Sequence, residues 1–195
     1  MTKKLFFVIA TVLGIAATAN AQTARFGIKG GANFANIKNL EAERLVGLNA
    51  GGMLSFRMSE GVGIQPEVIY SQQGAKREEN NVTVKSRLNY LNVPVMLKFY
   101  LTDGFNLQMG PQVGFLLDSK LEAESGSLGL NTDFEDNTNE IDYGVNFGAA
   151  IEGREGFYLE GRYTLGMKDI MQGNASDNEY RNNVVSVSVG YFMGR

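Results

Sequence analysis

Apolar and polar residues alternate along eight stretches of this chain, each the length of a strand. In the last stretch Val185, Val187, Val189, Tyr191 and Met193 share one parity, and Ser186, Ser188, Gly190 and Phe192 share the other. A period of two marks β-structure with two chemically different faces. The predicted strands are residues 25–35, 47–58, 62–73, 85–101, 105–118, 141–152, 157–168 and 183–193. The connections alternate in length. Residues 59–61, 102–104 and 153–156 form tight turns, while 36–46, 74–84, 119–140 and 169–182 are long and polar. Short turns on one side and long loops on the other describe an all-β, eight-stranded antiparallel up-and-down transmembrane β-barrel. Its turns would face the periplasm and its loops the outside.

The direction of the apolar face follows from volume. Eight strands leave an interior only just wide enough for side chains. The apolar parity carries Phe105, Phe115, Phe157, Tyr143 and Tyr163 with many Leu, Ile, Val and Met residues, which would overfill it. The other parity is rich in Gly27, Gly31, Gly51, Ser55, Gly110, Gly114, Ser186 and Ser188, which suit a narrow lumen. The aromatics fall into two groups on the apolar face. Phe26, Phe56, Phe99, Phe105, Phe157 and Tyr191 lie at the turn end, and Phe34, Tyr70, Phe115, Tyr143 and Tyr163 at the loop end. Two such belts are expected where a barrel meets two membrane interfaces.

The N-terminus supplies an export route. Lys3 and Lys4 precede an apolar run from Leu5 to Ala17, and Ala19-Asn20-Ala21 fits small-x-small cleavage before Gln22. This reads as a Sec-type signal peptide over 1–21, with a single barrel domain over 22–195. Removing Lys3 and Lys4 leaves 16 basic against 21 acidic residues, a net charge of −5. With no basic block, nucleic acid is a poor partner. The chain holds no Cys and no His, which excludes disulfides, thiolate or imidazole metal ligands, Cys nucleophiles and His-dependent triads. The glycine pairs Gly30-Gly31 and Gly51-Gly52 lie inside strands with no following helix, so they are not phosphate loops. No cofactor is expected.

Charges on the polar parity form the candidate site. Lys29, Arg57, Glu67, Lys98, Glu152, Glu160 and Arg162 all point into the predicted lumen, with Asp118 and Asp142 nearer the loops. Buried charges need partners, so a mutually neutralising network that fills the lumen is the expected arrangement. The longest loop is acidic. Its Asp133, Glu135, Asp136 and Glu140 offer oxygen ligands to a hard cation such as Ca²⁺ or Mg²⁺, but without the spacing of an EF-hand.

Several segments resemble one family. Phe26-Gly-Ile-Lys-Gly-Gly-Ala-Asn-Phe34, Gln65-Pro-Glu-Val-Ile-Tyr-Ser-Gln-Gln-Gly74 and Tyr90-Leu-Asn-Val-Pro-Val-Met-Leu-Lys-Phe99 look like its first, third and fourth strands. Gly110-Pro-Gln-Val-Gly-Phe115 and Leu159-Glu-Gly-Arg-Tyr-Thr-Leu-Gly166 look like its fifth and seventh. Together they resemble the PorT-like outer-membrane β-barrel family. The resemblance implies a small Bacteroidetes-type outer-membrane barrel of OmpA/OmpX-like architecture without a catalytic site. The namesake's link to protein secretion does not transfer on fold alone.

The sequence thus reads as an integral outer-membrane barrel with a closed polar lumen and a structural or surface-interaction role, not an enzyme. Its expected partners are outer-membrane lipid and lipopolysaccharide, the barrel assembly machinery, and cell-envelope or secretion partners met through the loops. The alternative is a soluble exported lipocalin-like barrel that holds a small apolar ligand inside. A third class, a lipid-modifying enzyme, is disfavoured by the absence of His.

Overall fold

Strands with one apolar and one polar face can satisfy both only by closing into a ring, where no edge is left unpaired. The computed structural model describes residues 24–37, 43–79, 82–125, 128–133, 141–168 and 181–193. These form β1 (Ala24–Ile37), β2 (Glu43–Arg57), β3 (Val62–Glu79), β4 (Val82–Tyr100), β5 (Phe105–Ser125), β6 (Leu128–Asp133), β7 (Ile141–Glu152), β8 (Phe157–Gly166) and β9 (Asn182–Met193). Every pairing is antiparallel. The order β4-β3-β2-β1-β9-β8-β7-β5 closes through β4–β5, so eight strands make the barrel. The first and last strands meet from Phe26↔Met193 to Ile37↔Asn182. No helix among the described residues is long and apolar enough to cross a membrane.

The tight turns lie where the pattern put them. Met58 and Ser59 both donate their N–H to the Val62 carbonyl, Leu101 N–H bonds the Phe105 carbonyl, and Gly153 N–H bonds the Phe157 carbonyl. The loop side differs from expectation. β3 runs on to Glu79 and β4 begins at Val82, so most of the loop expected at 74–84 is strand. Gly74 makes this extension feasible. It adopts φ +136°, and a Cβ there would stand 1.9 Å from the Ser86 carbonyl oxygen. The loop expected at 36–46 shortens likewise, since β1 reaches Ile37 and β2 starts at Glu43.

The loop expected at 119–140 is also partly sheet. β5 continues to Ser125, and β6 folds back on it from Lys120↔Asp133 to Ser125↔Leu128. β7 rejoins β5 at Phe115↔Ile141. Asp133 ends β6, while Glu135, Asp136 and Glu140 of the candidate cation loop lie outside the described residues, as do 1–21 and 169–180.

The faces divide as the volume argument requires. Val187 is 49% exposed, Val189 53% and Tyr191 51%, whereas Ser188 between them is 2% exposed. Phe26, Phe34, Tyr70, Phe99, Tyr143, Phe157 and Tyr163 are exposed on the same outer face; Phe56 departs from its belt at 8%. The lipocalin-like alternative needs the large apolar side chains inside, and the structure turns them outward. The lumen is not filled by small residues alone, however. Met53, Ala150, Tyr158 and Phe192 form a buried apolar cluster within it, with the Tyr158 and Phe192 rings edge to face at 5.4 Å.

Candidate functional site

The lumen holds the charges, and strands spaced around the ring deliver them by inward parity. β1 contributes Lys29, β3 Glu67, and β8 both Glu160 and Arg162. These four side chains converge across the barrel. Lys29 Nζ lies 3.0 Å from Glu67 Oε2 and 3.0 Å from Glu160 Oε1. Arg162 Nη1 and Nη2 donate to the two oxygens of Glu67, each at 2.8 Å, and Nη2 also donates to Glu160 Oε2 at 2.8 Å. Their side chains are at most 6% exposed. Two cations against two carboxylates close a neutral quartet, and that pairing is what makes four charges tolerable in a buried interior. The fork of Arg162 on Glu67 is the geometry only a guanidinium supplies.

A second group lies toward the turns. Lys98 Nζ pairs with Glu152, which also receives Arg25, and Asn106 Nδ2 donates to Glu152 at 3.0 Å. Two side chains join the groups. Gln65 donates to Glu67 Oε1 at 2.8 Å and accepts from Lys98 Nζ at 2.8 Å. Tyr158 donates its hydroxyl to Glu160 and accepts from Gln108 Nε2 at 3.0 Å. Arg25, Gln65 and Tyr158 were not singled out from the sequence. Arg25 opens the first strand beside the export signal, and the other two carry no charge. Their inward parity was the available signal.

Arg57 belongs to neither group. Its guanidinium stacks 4.2 Å from the Tyr100 ring centroid, and Nη2 donates to the Glu60 carbonyl at 2.7 Å. Its position at the last residue of β2 puts it at the turn-side rim, where a cation over a ring keeps contact with water.

On the loop side of the quartet the lumen turns to amides and hydroxyls. Asn33 donates to Ser71 at 2.9 Å, Asn49 donates to Asn33 at 2.8 Å, and Ser188 donates to Asn49 at 2.9 Å. Opposite them Thr164 donates to Asn146 at 2.6 Å, and Asn146 donates to Gln112 at 3.3 Å. Between these walls is a small recess of about 30 Å³, room for a water or two, with Lys29, Glu160 and Arg162 at its base. Among the described residues no three His, Cys, Asp or Glu side chains group to hold a metal ion. Each buried carboxylate among the described residues is paired with a cation. The arrangement seals and stiffens the barrel.

The sequence matches the model of one family, the outer membrane protein beta-barrel domain, over residues 20–172. No curated protein matches at a significant level. Among solved structures the chain is similar to Neisserial surface protein A. The two share 11% identity, with 86% of this chain and 96% of that one covered and a TM-score of 0.53. It is also similar to Ail, the attachment invasion locus protein of Yersinia pestis, in complex with the heparin analogue sucrose octasulfate. There the identity is 12%, coverage 88% and 100%, and the TM-score 0.51. At such identities the likeness is one of fold.

Proposed function

This chain belongs to the outer membrane protein beta-barrel domain family, and from that membership we propose that it is a non-enzymatic barrel that reinforces the outer membrane and presents a surface for interaction. The observation that carries the reading is the division of the barrel. Its apolar face is turned outward to lipid, and its lumen is closed by the Lys29, Glu67, Glu160 and Arg162 quartet. A sealed lumen is no pore, and carboxylates committed to cations are no acid–base pair. What is left to act is the outer end, where β3, β4, β5 and β6 extend past the belts. Loop-side elements on a rigid scaffold are where small barrels carry interactions.

The finer identity is that of a PorT-like member, resting on the segments from Phe26 to Phe34 and from Tyr90 to Phe99. Export would use the signal over 1–21, and insertion the barrel assembly machinery. The partners would be lipopolysaccharide around the outer belt and cell-envelope or secretion components at the loop end. Deleting the gene should raise the permeability of the envelope to detergent and large antibiotics, and the wild-type chain should restore it. A chain lacking residues 120–133 should restore the barrier and yet lose cross-linking to surface partners. A modified lipid appearing when the purified barrel is mixed with lipopolysaccharide would overturn the non-enzymatic reading.

A further inference from the structure

Pro66, Pro94 and Pro111 are the only prolines of the chain, and they stand on three neighbouring strands, β3, β4 and β5. A proline donates no N–H, so within a sheet it belongs at edges and bulges. A closed barrel has no edge, and the register is the same on both sides of each proline, so none marks a bulge. Each instead interrupts one ladder. Pairing lapses between Met53↔Glu67 and Phe56↔Ile64 beside Pro66. It lapses between Pro66↔Val95 and Ile69↔Asn92 beside Pro94, and between Pro94↔Gln112 and Leu97↔Met109 beside Pro111.

The three lapses are contiguous and step from β2 to β5 within the membrane, Pro111 lying midway between the belt residues Phe105 and Phe115. At the same depth the pairing from β5 through β7, β8, β9 and β1 to β2 is unbroken. In hydrocarbon no water replaces a lost ladder bond. One half of the wall is therefore bonded more weakly than the other.

Side chains in the lumen bridge two of the lapses. Lys98 Nζ donates to Ser55 Oγ at 3.3 Å and to Gln65 Oε1 at 2.8 Å, and these two residues face each other across the first lapse. Glu67 stands in the second, where Lys29 on β1 and the Arg162 fork on β8 tie it to the unbroken half. At the third, Met96 and Gly110 offer no hydrogen-bonding side chain.

We propose that β2 to β5 form a latched seam, the sector of the wall that parts first within the membrane, held shut by the lumen network where the ladder is interrupted. The network then does more than neutralise its own charges: it sets where the barrel opens.

Hydrogen–deuterium exchange on the full-length barrel folded in lipid nanodiscs reads such local opening. Amides of residues 64–69, 92–97 and 108–112 should exchange at least tenfold faster than those of 145–149, 159–163 and 185–189. Pro66 and Pro111 have outward parity, so Pro66→Val and Pro111→Val place the new side chain in lipid and restore an N–H to the ladder. Each should slow exchange at its own lapse at least tenfold. Lys98→Met removes the bridge across the first lapse and should speed exchange at 53–56 and 64–67 at least tenfold more than at 159–163 and 185–189. Equal exchange in the two halves of the wild-type wall overturns the seam. Unchanged exchange in both valine variants overturns it too, as does a uniform rise across all strands in Lys98→Met. If Lys98→Met does not fold, wild type and the valine variants decide.

Discussion

Arg162 holds Glu67 by two parallel hydrogen bonds of 2.8 Å across the lumen, joining β8 to β3 from opposite parts of the ring. This fork ties the wall of the barrel together through its centre. Arg162→Met would leave Glu67 and Glu160 to share Lys29 as their one cation in a buried site. Breaking a buried pair in this way costs about 3–5 kcal/mol. Urea unfolding in lipid should show that loss. Replacing Glu67 and Arg162 together by Met keeps the Lys29–Glu160 pair and should cost markedly less than the sum of the two single changes. Additive losses would mean that the fork carries no coupling.

The turn-side group should behave as part of the same network. Glu152 receives Lys98, Arg25 and Asn106, so Glu152→Ala leaves the fully buried Lys98 with neutral partners alone. Its expected cost is again about 3–5 kcal/mol. Because Gln65 and Tyr158 link the groups, its effect should not be strictly additive with that of Arg162→Met. A double-mutant cycle reads the coupling, and a value near zero would contradict a continuous network.

The two parities of β9 should respond oppositely to charge. Val187→Arg places a guanidinium on the exposed apolar face at mid-strand and should cost about 2–4 kcal/mol. It should also slow insertion into lipid, as seen by the fraction that migrates as folded barrel without boiling. Ser186→Thr adds one methyl inside and should leave that fraction unchanged. The reverse pattern would mean that the faces are exchanged.

Gly74 should matter only locally. Gly74→Ala sets a Cβ against the Ser86 carbonyl at a backbone conformation that side chains rarely adopt. A strain of about 1–3 kcal/mol is expected there. It falls on the extension of β3 and β4, so limited proteolysis should cut within residues 74–88 while the rest of the barrel stays protected. Loss of the whole barrel would show that the extension is integral to its stability.

The sequence displayed the fold through repetition. Alternation in Val185 to Met193 or Phe157 to Leu165 is a local signal, and closure of eight such strands follows from the edge that each would otherwise expose. The inward parity of Lys29, Glu67, Glu160 and Arg162 was legible for the same reason. Their pairing was not. Lys29 and Glu160 lie 131 residues apart, and which cation meets which carboxylate is decided by strand stagger across the barrel. Gln65 and Tyr158 bind the groups together as uncharged intermediates, which a reading by charge passes over. The strand extensions were hidden by composition. Lys76-Arg-Glu-Glu79 and Glu122-Ala-Glu124 look like solvated loop, yet their backbone stands in strand ladders.

The orientation of the barrel wall is the claim on which everything else rests, and the chain offers a clean way to measure it because it contains no Cys. Single Cys residues introduced in turn at positions 185 to 189 can carry nitroxide labels in reconstituted bilayers. Accessibility to oxygen, which concentrates in lipid, should alternate along the strand: high at 185, 187 and 189, low at 186 and 188. Accessibility to a water-soluble nickel chelate should stay low at the first three. High chelate accessibility at 185, 187 and 189 would place that face in water and contradict the outer-membrane barrel.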